Sequence, residues 1–423
     1  MLKNKKGITL VALVVTIVVL LILAGVSINL VLVNNGIIAK ANDAETKSAE
    51  ASKNDLKGMN GLISEMEGAL AGNGGAGGSG TGTKVPAEAI AETAPYFPDN
   101  TFTKKEGTID TGLVIKDTKE NEYVWVVVPR TTAVYKTTGL GKTTFTDTDY
   151  TNIETDLKNY TRTYVTKSGY SDVYYADDKN VGWFADETAY NNLKNSMLKS
   201  VYENGGFYVG RYEAGIDTKT GTNRTSNTDK NSDGKYTMPS TTPVSKANAY
   251  PYTYVTRTQA QNLASNVNPG TKTSSLMFGV QWDLVLAFMH NKGNIADSTL
   301  TSNSTAIGNY NDNLWTIKNA KAQYSTNYGS TFTACPNPFK KESSSNILLT
   351  TGADSSFSVQ NIYDIAGNVF EWTLENTSLD SSPCAIRGGG YFYYNGWDHP
   401  AAYRDSYDTT DALNSIGFRL SLW

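Results

Sequence analysis

The longest apolar stretch of the chain lies close to its N-terminus. It runs from Ile8 to Val33 without a charged residue. As an α-helix it would be about 39 Å long at about 1.5 Å per residue, enough to cross a bilayer with some tilt. Three lysines precede it in residues 1–7, and they place the N-terminus on the cytoplasmic side. The pattern predicts a transmembrane helix over 8–33.

The residues that follow are mostly polar. After the turn signal Asn34-Asn35-Gly36, apolar residues recur at a spacing that predicts an amphipathic helical stem over 34–70. Residues 71–83 (AGNGGAGGSGTGT) form a flexible linker with a root-mean-square span of roughly 20 Å. Residues 84–423 are therefore expected to form a tethered head.

The head combines short strand patterns with a few helical ones. Strands are predicted where aromatic and β-branched residues run together, at 123–128, 206–212 and 390–394. Helices are predicted at 186–204 and 258–265, followed by a buried segment at 282–289. Polar loops are expected over 217–235 and 291–313. The fold class predicted for the head is α+β.

Composition excludes several classes of function. The chain has 423 residues, a net charge of −4 and no basic run beyond its first six residues, so we expect no nucleic-acid partner. Two histidines and two cysteines are too few for zinc fingers, iron–sulfur clusters or three-histidine metal sites. The 26 tyrosines, beside many Thr, Ser and Asn, are typical of a surface protein with aromatic and polar loops.

The first residues resemble the prepilin (class III) signal of type IV pilins and pseudopilins. The matching segment is Lys5-Lys6-Gly7-Ile8-Thr9-Leu10. The resemblance implies cleavage after Gly7 by a prepilin peptidase, which leaves Ile8 as the new N-terminus, and assembly with other pilin-like subunits. The family usually has Glu at the fifth mature position, where this chain has Ala12, which favours a minor or tip subunit over a shaft subunit. The alternative is an uncleaved membrane anchor.

The head is similar to the formylglycine-generating enzyme (sulfatase-modifying factor) family, whose fold is a variant of the C-type lectin-like fold. The most specific match is the segment 362–372, IYDIAGNVFEW. The other matching segments are 207–213, 243–244 with 256–264, 278–288, 387–390, 403–404 and 417–419.

The family resemblance does not extend to the catalytic residues. The enzymes hold copper with two cysteines, and the aligned positions here are Tyr393 and Asp398, which lack the thiolates that copper(I) prefers. Cys335 and Cys384 lie elsewhere in the sequence and could instead pair with each other. We therefore expect no copper and no catalysis. The alternative is an extracytoplasmic oxidoreductase of this type with an atypical metal site.

The resemblance also implies a structural calcium site. Its ligands would be the carboxylates of Asp364 and Glu371 and the backbone carbonyls of Gly367 and Val369, hard oxygen donors of the kind that Ca²⁺ takes. The alternative is that both carboxylates cap turns. A second acidic stretch, 229–235, begins like an EF-hand loop but has Ser240 where the bidentate Glu belongs, which favours a solvated loop.

The C-terminal segment 390–415 is the predicted binding surface. Rigid aromatic side chains mixed with short polar ones are typical of binding loops. Residues 390–394 could alternatively form a core strand. The candidate ligand-binding residues are Tyr391, Tyr393, Tyr394, Asn395, Trp397, Asp398, Tyr403, Asp405 and Tyr407.

Together these features indicate a cell-surface or extracellular display protein. Its membrane helix, or a pilus-like filament, would carry a non-catalytic lectin-like head that binds an extracellular protein or glycan. The C-terminal segment also resembles the variable proteins of diversity-generating retroelements, which place a hypervariable stretch between an RGG-like motif and a GFR ending. A variable receptor is therefore a further alternative.

Overall fold

Residues 96–267, 272–392 and 395–423 are described by the structure, a computed structural model, and all of them belong to one compact unit. The predicted leader with its processing residues Gly7 and Ile8, the membrane helix 8–33, the stem 34–70 and the linker 71–83 lie outside these residues. No helix within the described residues is long and apolar enough to cross a membrane.

The head is a mixed α+β structure in which most elements are short strands. Its helices are α1 (Asp147–Tyr160), α2 (Glu187–Asn204), α3 (Arg257–Ser265), α4 (Gly279–Gly293) and α5 (Asp297–Thr301), with 3₁₀ turns at Arg162–Tyr164 and Ser355–Phe357. The strands are β1 (Thr103–Glu106), β2 (Val114–Lys116), β3 (Glu122–Val127), β4 (Tyr170–Ser171), β5 (Gly206–Gly210), β6 (Gly215–Ile216), β7 (Tyr250–Pro251), β8 (Ser274–Ser275), β9 (Trp315–Ile317), β10 (Gln323–Ser325), β11 (Thr333–Ala334), β12 (Phe339–Lys341), β13 (Leu348–Leu349), β14 (Ser358–Val359), β15 (Ile362–Tyr363), β16 (Phe370–Thr377), β17 (Cys384–Arg387), β18 (Arg404–Tyr407), β19 (Ile416–Phe418) and β20 (Ser421–Leu422).

Two sheets organise the head. The first has the order β1-β2-β3-β5-β20-β8 and is antiparallel throughout, so β20 lies between β5 and β8. The second has the order β18-β17-β16-β19, with β4 also paired to β16. Within it, β16 runs parallel to β19 and antiparallel to β17. The smaller sheets are β11-β10-β13, β12-β9, β14-β15 and β6-β7.

Helix α4 packs against both sheets. It contacts β3 of the first sheet and β16 of the second, and every residue from Gly279 to Met289 is buried. This buried part is apolar except for Gln281 and Asp283, and a helix with apolar residues on all its faces is stable only when protein surrounds it. The sequence predicted this buried segment, and the structure confirms it.

Local capping signals set the ends of the other helices. At α2 the Asp186 side chain accepts a hydrogen bond from the N–H of Ala189 at 2.8 Å, and Gly205 ends the helix with a φ of 73°. Helix α1 starts at a capping box between Thr146 and Asp149. Helices α2 and α3 are confirmed predictions, whereas α1 was not predicted.

Two predictions of local structure were wrong. The expected strand 390–394 does not form in its described part, 390–392, because Gly388 and Gly389 have φ values of 92° and 80°, which end β17 at Arg387. The expected loop 291–313 contains the end of α4 and the short helix α5, Asp297–Thr301.

Candidate functional site

Three of the motifs in the C-terminal half lie on neighbouring strands of the second sheet. Glu371 of β16 lies opposite Arg387 of β17 on one side and Gly417 of β19 on the other. The next residue, Trp372, is paired with Phe418 and is buried. Segments that are widely separated in the sequence therefore form one continuous sheet, to which β18 of the C-terminal segment also belongs.

Four buried charges lie on α4 and on strands β16, β17 and β18 of this sheet, and we call them the charge cluster: Asp283, Glu375, Arg387 and Arg404. Asp283 accepts hydrogen bonds from Arg387 at 2.6 Å and from Arg404 at 2.5 Å. Glu375 lies 3.4 Å from Arg387 and 3.2 Å from Arg404. All four residues are at most 4% exposed. Two acids and two bases balance in charge, so each buried ion has opposite charges beside it.

Acidic residues and one arginine form a second buried group. Arg419 holds the Glu371 carboxylate through hydrogen bonds of 2.6, 3.1 and 3.1 Å. The Asp364 carboxylate accepts from the N–H of Gly352 at 2.7 Å, and Glu213 accepts from Asn368 at 2.7 Å. Burial raises the pKa of Asp364 to about 7, and burial together with the neighbouring carboxylates raises the pKa of Glu213.

One of the expected calcium donors, the Glu371 carboxylate, already has a guanidinium against it, that of Arg419 at 2.6 Å. In the described part of the chain, no group of three or more His, Cys, Asp and Glu side chains could hold a metal ion. Calcium binding stays a prediction, and the Arg419 guanidinium already pairs with one of its expected donors.

The two cysteines lie in separate hydrophobic clusters. Cys335 packs with Trp315 and Ile317, and Cys384 belongs to the main core. Both are free thiols, so the disulfide considered from the sequence is not formed. Burial raises the pKa of each thiol to about 11. Neither is therefore a ready thiolate donor for a metal.

Residues 395–399 form a turn fixed by hydrogen bonds, which we call the tip turn. The Asn395 side chain accepts from the N–H of Asp398 at 2.7 Å, and its carbonyl accepts from the N–H of His399 at 3.0 Å. The Gly396 carbonyl accepts from the N–H of Ser304 at 2.8 Å. A Cβ at Gly396 would lie 2.2 Å from the Thr305 nitrogen, so glycine is required for this close approach.

Among the described residues of the predicted surface, the tip turn presents the most exposed aromatic side chain. Trp397 is 68% exposed, which agrees with the loop position expected from the sequence. Asp398 is also exposed, and Asn395 is half-buried. The turn itself is held by backbone groups and by Asn395, so the indole of Trp397 is free to contact a ligand.

The other predicted aromatic residues differ in their exposure. Tyr391 is fully buried and packs with Leu348 and Val369, so the expectation that its ring lies on the surface is corrected. Its N–H donates to the carbonyl of Asn368, which holds this part of the chain against the core. Tyr393 and Tyr394 lie outside the described residues.

Strand β18 supplies the remaining predicted residues at an edge of the second sheet. Tyr403 precedes the strand and packs against His399, with ring centroids 4.3 Å apart. Asp405 and Tyr407 are half-buried, and Asp405 accepts from the Tyr403 hydroxyl at 3.3 Å. Lys167 lies 3.6 Å from Asp405. Sequence reasoning missed Lys167, because nothing in its local pattern indicates contact with a strand so far along the chain.

Comparisons with known proteins gave matches among solved structures. No family model matches the chain, and no curated protein matches it. Among solved structures the chain is similar to the crystal structure of CarF, with 17% identity and a TM-score of 0.27 over 51% of this chain and 85% of that one. It is also similar to Treponema denticola variable protein 1, with 15% identity and a TM-score of 0.27 over 51% of this chain and 84% of that one. These TM-scores are too low to define a shared fold.

Proposed function

We propose that the head is a non-catalytic, lectin-like binding module and that the tip turn contacts an extracellular protein or glycan. The observation that carries the proposal is the exposure of Trp397 on a turn with a fixed backbone. A large aromatic side chain on a backbone that is already fixed can be buried by a partner at a reduced entropic cost. Such residues commonly supply most of the binding energy of an interface.

The surroundings of Trp397 match the polar rim of a binding site. Asp398 is exposed beside it. His399 of the tip turn packs against Tyr403, whose hydroxyl donates to Asp405 of β18 at 3.3 Å. Lys167 adds a positive charge near Asp405. Hydrogen-bonding groups around an aromatic anchor give specificity, while the anchor itself gives affinity.

The absence of catalysis is part of the same proposal. The aligned copper position Asp398 carries a carboxylate, and both cysteines are buried in separate clusters. The family motifs instead form charge-balanced contacts inside the sheet, as in the charge cluster. This favours a structural role for the motifs over the alternative of an oxidoreductase with an atypical metal site.

We also propose that the N-terminal segment displays the head at the cell surface. Support comes from the uncharged run 8–33 and the leader ending at Gly7. Processing by a prepilin peptidase would leave Ile8 as the N-terminus and permit assembly with other pilin-like subunits. Mass spectrometry of the N-terminus, on material sheared from cells and on membranes, tests this. A chain that begins at Met1 and stays in membranes would contradict processing and would show that the segment is an uncleaved membrane anchor.

The binding proposal is tested with the full chain in detergent on arrays of glycans and extracellular proteins. We expect Trp397→Ala to weaken binding to the recognised ligand by about tenfold or more, the effect typical of an interface hot spot. Leu379→Ala is the matched control, because Leu379 is 59% exposed and lies outside the tip turn and β18. Equal binding by the wild type and both variants would contradict the proposal.

A further inference from the structure

A second concave surface lies apart from the tip turn, and we call it the amide groove. It has a volume of about 540 Å³, within the range of small-molecule sites, and it shares no lining residue with the predicted C-terminal surface. The groove is formed by the segment before α2, by α2 itself and by the end of α3. Its lining residues are Gly182, Trp183, Phe184, Ala189, Asn192, Leu193, Ser196, Gln261, Asn262, Ser265 and Thr273.

One wall of the amide groove is aromatic and firmly positioned. Trp183 donates its indole N–H to the carbonyl of Tyr175 at 2.8 Å, and the Arg257 guanidinium lies 4.6 Å from its ring centroid. Phe184 packs edge-to-face against Trp183 at 4.8 Å and against Tyr190 at 5.3 Å. These contacts fix both rings before any ligand arrives, which reduces the entropic cost of binding.

Helix α3 contributes amide groups to the lining. Gln261 is 6% exposed, and its carbonyl oxygen accepts from the Ser275 hydroxyl at 2.9 Å and from the Leu276 N–H at 3.0 Å. Both bonds hold the oxygen inward. Among the described residues nothing accepts from its amide nitrogen, so this donor is available to the groove. Asn262 donates to the carbonyl of Val181 at 3.3 Å, which leaves its side-chain oxygen as an acceptor.

Among the described residues, the lining mixes apolar side chains with uncharged polar ones and contains no charged side chain. An ionic ligand would therefore lose its hydration without gaining an opposite charge in the groove. A sugar suits it better, since each hydroxyl both donates and accepts hydrogen bonds, as the amides and hydroxyls of the lining do. The apolar C–H face of a sugar ring can pack on the aromatic wall. We propose that the amide groove binds a neutral saccharide.

The test uses the full chain in a detergent without a sugar head group. Binding of maltotriose, cellotriose and chitotriose is followed by saturation-transfer NMR, with sialyllactose as the charged comparison. Ala189→Phe would fill the groove from the first turn of α2, and we expect it to abolish binding of the neutral sugars. Thr188→Phe is the matched control, because Thr188 is exposed on the same turn and does not line the groove.

A second pair of variants tests the hydrogen bonds. Asn192 is exposed in the groove, and its replacement by Ala should weaken binding about three- to tenfold, as expected for one lost hydrogen bond. Asn195→Ala, on the same helix but outside the groove, should have no effect. Trp397→Ala should also leave this binding unchanged, which separates it from the tip turn. Failure of all three neutral sugars to bind, or equal binding by Ala189→Phe and Thr188→Phe, would overturn the proposal.

Discussion

Removal of one member of the charge cluster should destabilise the head strongly. Arg404→Gln leaves Asp283 and Glu375 with a single arginine, so one buried negative charge has no positive charge to compensate it. The carbonyl of Tyr164 also loses the hydrogen bond of 2.9 Å that Arg404 donates to it. Breaking a buried ion pair in this way costs about 3–5 kcal/mol. Asp283→Asn should cost a similar amount, because it leaves a surplus positive charge.

The double variant Asp283→Asn/Arg404→Gln restores neutrality. We therefore expect its loss of unfolding free energy to fall short of the sum of the single losses by about 2–3 kcal/mol. Urea unfolding of the full chain, followed by tryptophan fluorescence, measures all three changes. Lys179→Gln is the control, because its bond to Asp408 at 3.2 Å is largely solvent-exposed and should contribute less than about 1 kcal/mol. Strict additivity, or a loss for Arg404→Gln no larger than that for Lys179→Gln, would refute the reasoning.

Three further predictions follow from buried groups. Lys341 is 3% exposed, and burial lowers its pKa to about 8. Between pH 8 and about 10.5 the unfolded chain therefore binds more protons than the folded one, and stability should rise with pH by up to about 3 kcal/mol. The variant Lys341→Met should lack this rise, and an identical pH profile for both proteins would contradict the assignment. Cys335 and Cys384 should resist iodoacetamide in the native chain and react in urea, and native labelling of either would show that it is accessible. Because Arg419 lies against Glu371, excess calcium should not change the Tm relative to a chelator, whereas a calcium-dependent rise would support the calcium site expected from the sequence.

The helices of the head could largely be predicted from local patterns. Helices α2, α3 and α4 contain apolar residues or capping residues within their own segments. These local features do not depend on distant contacts. Helix α1 was missed because it is mostly polar, and among its apolar side chains only Ile153 and Leu157 are buried. Its formation depends on the capping box and on packing against α2 and α4, which a local window does not contain.

The candidate site could be predicted only in part. Trp397 lies between Gly396 and Asp398, and this composition correctly indicated an exposed position. The burial of Tyr391 could not be read in the same way, because its ring and backbone meet residues from distant segments, Leu348 and Asn368. The pairing of Arg419 with Glu371 likewise depends on the parallel register of β16 and β19, which no spacing along the chain encodes.

The position of β20 determines when the head can fold. This strand lies between β5 and β8, and Ser421 contacts Tyr208 across a separation of 213 residues. At about 5–20 residues per second, a ribosome needs roughly 10–40 s to reach β20 after it has made β5. Throughout that interval β5 has one open edge, and the first sheet cannot close. Because such long-range pairing is slow to form, the nascent chain must be protected from aggregation at least until β20 has been made.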